Sequence, residues 1–520
     1  MDELNFDPAK AWSTLAVVIL GTFMSIIDST VVSVALPTIM NVFGVALSSV
    51  QWITTAYMLA MAIIIPLTPY LSKVFGSERL YMVAMIIFTS SSFLCGFAWS
   101  LNTMIVFRIL QAIGGGMMTP IGMGMIISSF PPSKRGVAFG VFGIAAMAAP
   151  AFGPTLGGYI VEYLGWRFIF YVNIPIGIVA VLLATIFFKF SKRNPFPKFD
   201  ILGFISSGIG TSFLIYLLGK NQSIDWNNPM YVYMTIIGIG ALAFFIVNEL
   251  YTDAPLLDLR LLKDANFTLS LVLTVFMMLM MISMSYTLPV FLQNFKGLSA
   301  LQSGETLLPS SLVMAVAMPI AGKLSDTLGE KGTKWIIAGG IIVCGVATFA
   351  ISTLMNINAS VTDIIIMSSI RNIGLGIAMM PARTLGLTEI GPKESQRASA
   401  MQMFIQQFSS SAVVASVTML ITNRFNYNYA GATSQLTPFN LPLMDAVQKL
   451  TAQFISQGLS AADAATQAMT TILQGVYAQN YVLAIQFTIF TCAVIGLASL
   501  VFVPFFKTKK KEPAVLSNRF

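Results

Sequence analysis

A chain of 520 residues that is 56% hydrophobic and only 10% charged is excluded from the ordinary soluble class, in which about a quarter of residues carry charge. Its formal net charge of +8 sits in the loops on one side of a series of apolar runs, so topology rather than nucleic-acid binding accounts for it. The chain has no histidine, the usual proton carrier near neutral pH, and any proton chemistry therefore falls to carboxylates.

Apolar runs of about 18 residues or more, long enough to cross a bilayer, lie near 12–36, 49–69, 80–98, 102–130, 137–161 and 166–188. Two follow near 201–219 and 230–251, and six near 266–292, 302–322, 335–354, 362–388, 398–421 and 481–506, making fourteen expected spans. The first run is too long for a cleavable signal and lacks a small-residue cleavage site, so it reads as a retained span. The three cysteines, Cys95, Cys344 and Cys492, lie inside apolar runs without metal or redox spacing and read as packing residues.

Span 1 carries Asp28 within MSIIDSTVVSVALP. A charge in mid-span costs roughly 2.5–3.5 kcal/mol on insertion scales, which makes a functional role the default. At helical spacing Gly21, Ser25, Asp28, Val32 and Ala35 share one small and polar face, suited to a cavity wall or a close helix contact. Asp28 reads either as a structural carboxylate satisfied by a neighbouring hydroxyl or arginine, or as a site where a proton and a cationic substrate compete. Trp52 and Tyr57 in span 2 are pocket candidates. Arg108 and Gln111 lie three apart on one face of span 4, and an arginine inside a span requires a partner.

Span 5 concentrates small residues and prolines in GVAFGVFGIAAMAAPAFGPTLGG, among them Gly136, Gly140, Gly143, Gly153, Pro154, Gly157 and Gly158. Small residues let helices approach closely, and proline frees a backbone bond, so this helix can both pack and bend. Span 9, VFMMLMMISMSYTLPVF, is methionine-rich and adaptable, with Phe291 and Gln293 near its end as further pocket candidates. Glu305 enters span 10 four residues before Pro309, either as a second titrating site or as an interfacial charge reaching for water. Asp200, Glu249 and Asp363 stand at span ends and read as solvated. The segment from about 422 to 480 reads as a loop followed by amphipathic helices, forming a hairpin on the outer surface.

PLTPYLSKVFG (66–76) returns as PIAGKLSDTLG (319–329) at an offset of 253, and RILQAIGGGMMTP (108–120) is echoed by RNIGLGIAMMP (371–381). Same-direction repeats of this kind indicate two halves related by an axis along the membrane normal. The expected division is a six-helix bundle (1–199), two inserted helices (200–265) and a second six-helix bundle (266–520). With the N-terminus inside, 21 lysines and arginines fall in inner segments and 5 in outer ones, which places both termini in the cytoplasm. Arg108, Arg371 and Arg383 remain within spans.

Several stretches resemble the major facilitator superfamily, and within it the fourteen-span drug:proton antiporters of the EmrB/QacA type. IDSTVVSVALPTI resembles that group's first span and VQWITTAYMLAMAIIIP its second; RILQAIGGG is similar to the span-4 pattern RxxQGxG, with Ala112 in place of glycine. GPTLGGYI and WRFIFYVNIPIGI resemble the antiporter motif of span 5 and the entry of span 6. The loop signature GxLxDxxG is met by GKLSDTLG, with Asp326, whereas the first-half copy has Pro69 and Lys73 in the glycine and acid positions. In the family that acid latches the closed state against neighbouring charge or a helix terminus. Lys73 inverts the charge, so the expected latch moves to Asp326.

The resemblance further implies a proton-relay role for Arg108 beside the acidic site, a related but less complete place for Arg371, and a hinge or seal at Gly153, Pro154, Gly157 and Gly158. The expectation is an all-α polytopic membrane protein of the major facilitator fold, with fourteen transmembrane helices arranged 6+2+6 in the cell membrane. Its implied function is proton-driven export of hydrophobic, often cationic compounds by alternating access, without cofactor or metal. Amphipathic substrates, protons and the bilayer are its partners; a monomer is expected, and accessory export partners are compatible with it. Export or flipping of a lipid or endogenous metabolite on the same fold remains open. A membrane enzyme is disfavoured, since no phosphate-binding glycine loop followed by Lys and Ser/Thr occurs and the inner loops are too short for a nucleotide-binding domain.

Overall fold

The structure is a computed structural model describing residues 7–45, 47–131, 134–188, 190, 198–220, 224–356, 358–387, 390, 394–434 and 439–507. The first six long helices are α1 (Pro8–Phe43), α2 (Trp52–Phe75), α3 (Ser77–Gly96), α4 (Leu101–Ser129), α5 (Arg135–Tyr163) and α6 (Asn173–Phe187). Then come α7 (Ile201–Lys220), α8 (Pro229–Tyr251), α9 (Ala265–Lys296) and α10 (Ala300–Leu354). The last four are α11 (Val361–Leu387), α12 (Ser395–Thr433), α13 (Leu441–Ser456) and α14 (Ala461–Ala498). Twelve helices among the described residues are long and apolar enough to cross a membrane. α5 is not counted because several of its side chains lie outside those described, and α10 counts once although it spans 55 residues. Such a helix measures roughly 80 Å at 1.5 Å per residue, far more than a bilayer core of about 30 Å.

The break in α10 is Gly329, at φ 66° and ψ −172°. Its repeat partner Gly76, between α2 and α3, has φ 81°. Positive φ is accessible to glycine at little cost, which explains why both copies of the repeat end in that residue: each marks the tight turn between consecutive spans. Local side chains start several helices: Asp7, Asn228 and Asp264 accept from early backbone N–H groups of α1, α8 and α9. Ser100 with Thr103 and Ser299 with Gln302 form capping boxes at α4 and α10, satisfying donors that a helix start leaves open.

Helices α1 to α6 pack on one another, as do α9 to α12 with α14. Two seams join these groups: α5 lies along α10, and α12 lies along α2 and α4, where α7 packs against α2 and α12. The inserted helix α8 packs on α7 and is mostly exposed. Both ends of the described chain lie at one face of the bundle, where Asn266 and Lys507 exchange two hydrogen bonds (2.9 and 2.8 Å) and the Trp12 and Phe130 rings meet at 5.4 Å. At this terminal face the apolar core is continuous across both halves, from Leu15, Phe130 and Phe139 to Phe267, Met401 and Phe506. Toward the opposite face it divides into one cluster around Val31, Ile53 and Trp166 and another around Phe291, Val417 and Ile485. The halves are thus joined at the terminal face and separate in their packing beyond it.

Three expectations require correction. The start of the 422–480 segment is not loop: α12 continues to Thr433, α14 begins already at Ala461, and α13 packs on α14. Rings of Phe425, Tyr429, Tyr477 and Tyr481, with centroids 4.9–6.1 Å apart, tie the two extensions together, so aromatic packing prolongs the helices where polar composition suggests a loop. Glu249 is buried rather than solvated, accepting from the backbone N–H groups of Leu256 (3.2 Å) and Leu257 (3.3 Å) where the chain turns back after α8. Asp200 is likewise engaged, accepting from Gly203 N (2.8 Å) at the start of α7 and from Asn248 of α8. Asp363 is exposed, as expected.

Candidate functional site

Asp28 is 1% exposed, and Arg108, Gln111, Asn173 and Ser92 are fully buried around it. Four helices contribute: α1 brings Asp28, α3 Ser92, α4 Arg108 and Gln111, and α6 Asn173. Arg108 Nη1 donates to Asp28 Oδ2 and to Gln111 Oε1 (2.7 Å). Asp28 Oδ1 accepts from Gln111 Nε2 (2.9 Å) and Asn173 Nδ2 (3.0 Å), and both amides also donate to Ser92 Oγ (3.1 Å each). Arg108 Nε reaches the Ile53 carbonyl at 3.5 Å, and the guanidinium lies 4.0 Å from the Tyr57 ring centroid, a cation–π arrangement. Every polar group facing the carboxylate is a donor. The carboxylate accepts from Arg108, Gln111 and Asn173, as a charge buried away from water requires, while Arg108 Nη2 and Asn173 Oδ1 have no partner among the described residues.

The small face of α1 proves to be a helix contact rather than an open wall. A Cβ on Gly115 of α4 would meet Tyr57 Oη at 2.6 Å and Ser25 Oγ at 2.9 Å, and Ser25 Oγ donates to the Gly115 carbonyl at 3.4 Å. This close approach brings α4 near enough for Arg108 to reach Asp28. Asp28, Arg108 and Gln111 of this group are marked in the sequence, whereas Asn173 and Ser92 are not. Their signal was weak because a neutral polar side chain is far cheaper in an apolar run than a charge. Asn173 does stand out within WRFIFYVNIPIGI as the amide at the entry of a span.

Among the described residues no acid pairs with Arg371 in the second half. Arg371 Nη1 donates to Asn372 Oδ1 (2.7 Å) and Nη2 to the Met280 carbonyl (2.6 Å). Of the other pocket candidates, Trp52 is exposed and stacks on Tyr216 of α7 (5.7 Å, 27°), Phe291 is wholly buried in the second half's core, and Gln293 is exposed. Glu305 is exposed on the second turn of α10. None of these four reaches the Asp28 group.

Asp326 occupies the α5–α10 seam at the terminal face. Its Oδ1 accepts from Gly136 N (3.0 Å) and its Oδ2 from Val137 N (2.9 Å). α5 has no side-chain cap of its own, so its start is capped from the other half of the molecule, with the favourable alignment of a carboxylate at a helix N-terminus. Glycines permit the approach: a Cβ at Gly140 would lie 2.4 Å from Pro319 Cα, and one at Gly322 2.1 Å from the Gly136 carbonyl. The residues expected as a hinge or seal divide between two neighbours. Gly153 and Gly157 are pressed against Thr30 and Val31 of α1, within their own half, and only Gly158 faces α10, with Leu301 3.8 Å from a built Cβ. The side chain of Pro154 lies outside the described residues. Gly136, Gly140 and Gly143 of the same helix make the close seam instead, because the crossing is tightest at the terminal face.

Lys73, at the repeat position of Asp326, is exposed beside the second seam and lies in the electrostatic field of Asp258 and Arg397. Arg397, near the start of α12, pairs with Asp258 at 2.9 Å, both partly buried. Asp258 belongs to the connector that follows the inserted helices. The acid missing from the first repeat is thus supplied to this seam from another part of the chain.

The profile of the Major Facilitator Superfamily matches residues 18–414. The uncharacterized MFS-type transporter YhcA of Bacillus subtilis (strain 168) is 34% identical over 501 residues, covering 96% of this chain and 93% of its own length. The multidrug export protein EmrB of Escherichia coli (strain K12) is 30% identical over 427 residues, covering 81% of this chain and 82% of its own. The crystal structure of the human organic anion transporter MFSD10 (TETRAN) superposes with a TM-score of 0.60 at 13% identity, over 96% of this chain and all of the other; at that identity the likeness concerns the fold. With its repeat, its helix packing and its matches over most of its length, the chain belongs to the major facilitator superfamily of membrane transporters.

Proposed function

We propose that this protein is a proton-coupled efflux transporter that exports hydrophobic, often cationic compounds by alternating access. The observation that carries the reading is the Asp28–Arg108 pair, the only ion pair among the described residues whose two side chains are both fully buried. Protonating Asp28 neutralises the carboxylate at which Arg108, Gln111 and Asn173 all point, so α1, α4 and α6 must readjust together. A proton on one carboxylate is thereby coupled to the relative positions of three helices, which is what transport driven by a proton gradient requires. The export activity named for EmrB supports the direction of transport. No cofactor enters this scheme.

The same reading places fourteen spans in a 6+2+6 order, with the boundaries 1–199, 200–265 and 266–520, in the cell membrane. The excess of lysine and arginine in the loops of the terminal face supports a cytoplasmic position for that face and both termini. The conformation joined at the terminal face, with Asp326 on the start of α5, is then outward-facing. The protein works as a monomer in this scheme.

Everted membrane vesicles test the proposal. Wild-type protein should export a cationic dye when a proton gradient is imposed and stop when a protonophore collapses it. Asp28→Asn should abolish that export, whereas undiminished transport by the variant removes Asp28 from the mechanism.

A further inference from the structure

Arg383 lies on α11, four residues before its last residue Leu387, and is 6% exposed. No carboxylate among the described residues lies within ion-pair distance of it. Its Nη2 donates to Gln406 Oε1 of α12, and its Nε has no partner. Helix α11 packs on α9 and α10 and touches α5; α12 packs on α9, α14, α4 and α2; the two share no extended contact. The guanidinium therefore reaches across the middle of the second half to the facing helix.

Gln402 stands one turn from Gln406 on that helix, on the same face. It is 3% exposed, and neither its amide nitrogen nor its oxygen has a partner; the hydroxyl of Ser399, a further turn along, is also unpartnered. Buried polar groups are normally satisfied, so four such atoms on neighbouring residues, one of them on a cation, indicate a missing ligand. Packing does not demand these side chains. The first half opens its corresponding helix with RGVAFG (135–140) and the second with RASAMQ (397–402), so Gln402 holds the place where Gly140 makes a close, dry contact.

We infer that Arg383, Gln402 and Gln406 form a binding site for a carboxylate or similar planar oxyanion on the transported compound. The inference rests on the transporter reading and adds to its cargo amphipaths that carry an anionic group, zwitterions included. A guanidinium with an unengaged Nε–H offers the paired donors that fit a carboxylate, the Gln402 amide adds another donor, and an arriving anion relieves the cost of an unpaired buried cation. In this conformation the cluster is closed off by the seam: Met380, one turn away on α11, lies 3.3 Å from a Cβ built on Gly143 of α5. Parting of the halves at the terminal face opens it, which is the state in which an exporter would load its cargo.

The test is equilibrium binding to the purified full-length protein by titration calorimetry, with 2-naphthoate and 2-naphthylmethylammonium as probes of equal ring and opposite charge. The wild type should bind the carboxylate at least tenfold more tightly than the ammonium. Arg383→Gln should weaken carboxylate binding at least tenfold, and Gln402→Leu, which leaves every charge in place, at least threefold. Equal affinity for the two probes, or unchanged carboxylate affinity in either variant, overturns the inference. If Arg383→Gln does not yield monodisperse protein, Gln402→Leu decides alone. Dye efflux that depends on Asp28 without selective naphthoate binding sinks the site and keeps the transporter reading; selective binding without proton-driven efflux does the reverse.

Discussion

Neutralising Asp28 and Arg108 singly and together separates what their pair does for the fold from what it does for transport. In Asp28→Asn the guanidinium loses its carboxylate partner, and the new amide places a donor among the groups of Arg108, Gln111 and Asn173 that now donate to Oδ1 and Oδ2. In Arg108→Gln the carboxylate keeps two amide donors but no counter-charge. Removing one member of a buried pair costs about 3–5 kcal/mol, because the other charge is left uncompensated, whereas replacing both by neutral groups is often close to neutral. The double variant Asp28→Asn/Arg108→Gln should therefore be more stable than either single variant by at least about 1 kcal/mol, in the range seen for directly coupled residues. Thermal unfolding of purified protein, followed by tryptophan fluorescence, reads stability; dye efflux from everted vesicles reads coupling. The expected pattern is two destabilised single variants, a double variant that regains most of the loss, and no proton-driven export from any of the three. A double variant as unstable as the sum of the singles, or single variants as stable as wild type, would refute the assignment of an ion pair at this place.

Asp326→Asn removes the charge from the cap on α5 and sets an amide N–H against one of two backbone donors, at a cost of about 1.5–3 kcal/mol for hydrogen bonds to a charged group; spin labels across the terminal face should report a shift toward the open state. Gly140→Val places a branched side chain where a Cβ alone would come within 2.4 Å of Pro319 Cα, so the same labels should show that face unable to close while the protein remains folded. Asp258→Asn frees Arg397 at the second seam; because the pair is partly exposed (18% and 13%), the expected loss is about 1 kcal/mol or less, measured as a small fall in the thermal midpoint. Glu305→Gln, at an exposed position, should leave that midpoint unchanged within the equivalent of about 0.5 kcal/mol.

The membrane class, the helical spans and the repeat were legible in the chain because each rests on a local signal: long apolar runs, a conserved offset between two copies, and a glycine closing each copy. The latch was half legible. GKLSDTLG marks Asp326, but that its partners are Gly136 N and Val137 N depends on α5 starting without a cap of its own. The seam glycines were visible as a cluster on one helix, yet which of them face α1 and which face α10 depends on rotation about the helix axis and on the crossing angle. Composition misled at 422–433, where polar and aromatic residues continue a helix through ring packing, and at Glu249, whose burial follows from the turn that brings Leu256 and Leu257 over it.

The sequence by itself determined that Asp28 and Arg108 sit inside spans and that each needed a partner, because an isolated charge in an apolar helix is too costly to persist. Only the tertiary structure decided that they are each other's partner, 80 residues apart in the chain, with Asn173 and Ser92 completing the group. It also decided that Arg383, equally visible as a charge in a span, has no acid within ion-pair distance among the described residues. Helical periodicity fixes which residues share a face, whereas the meeting of faces from four helices depends on long-range packing, set here by the closeness that Gly115 and Ser25 allow between α1 and α4.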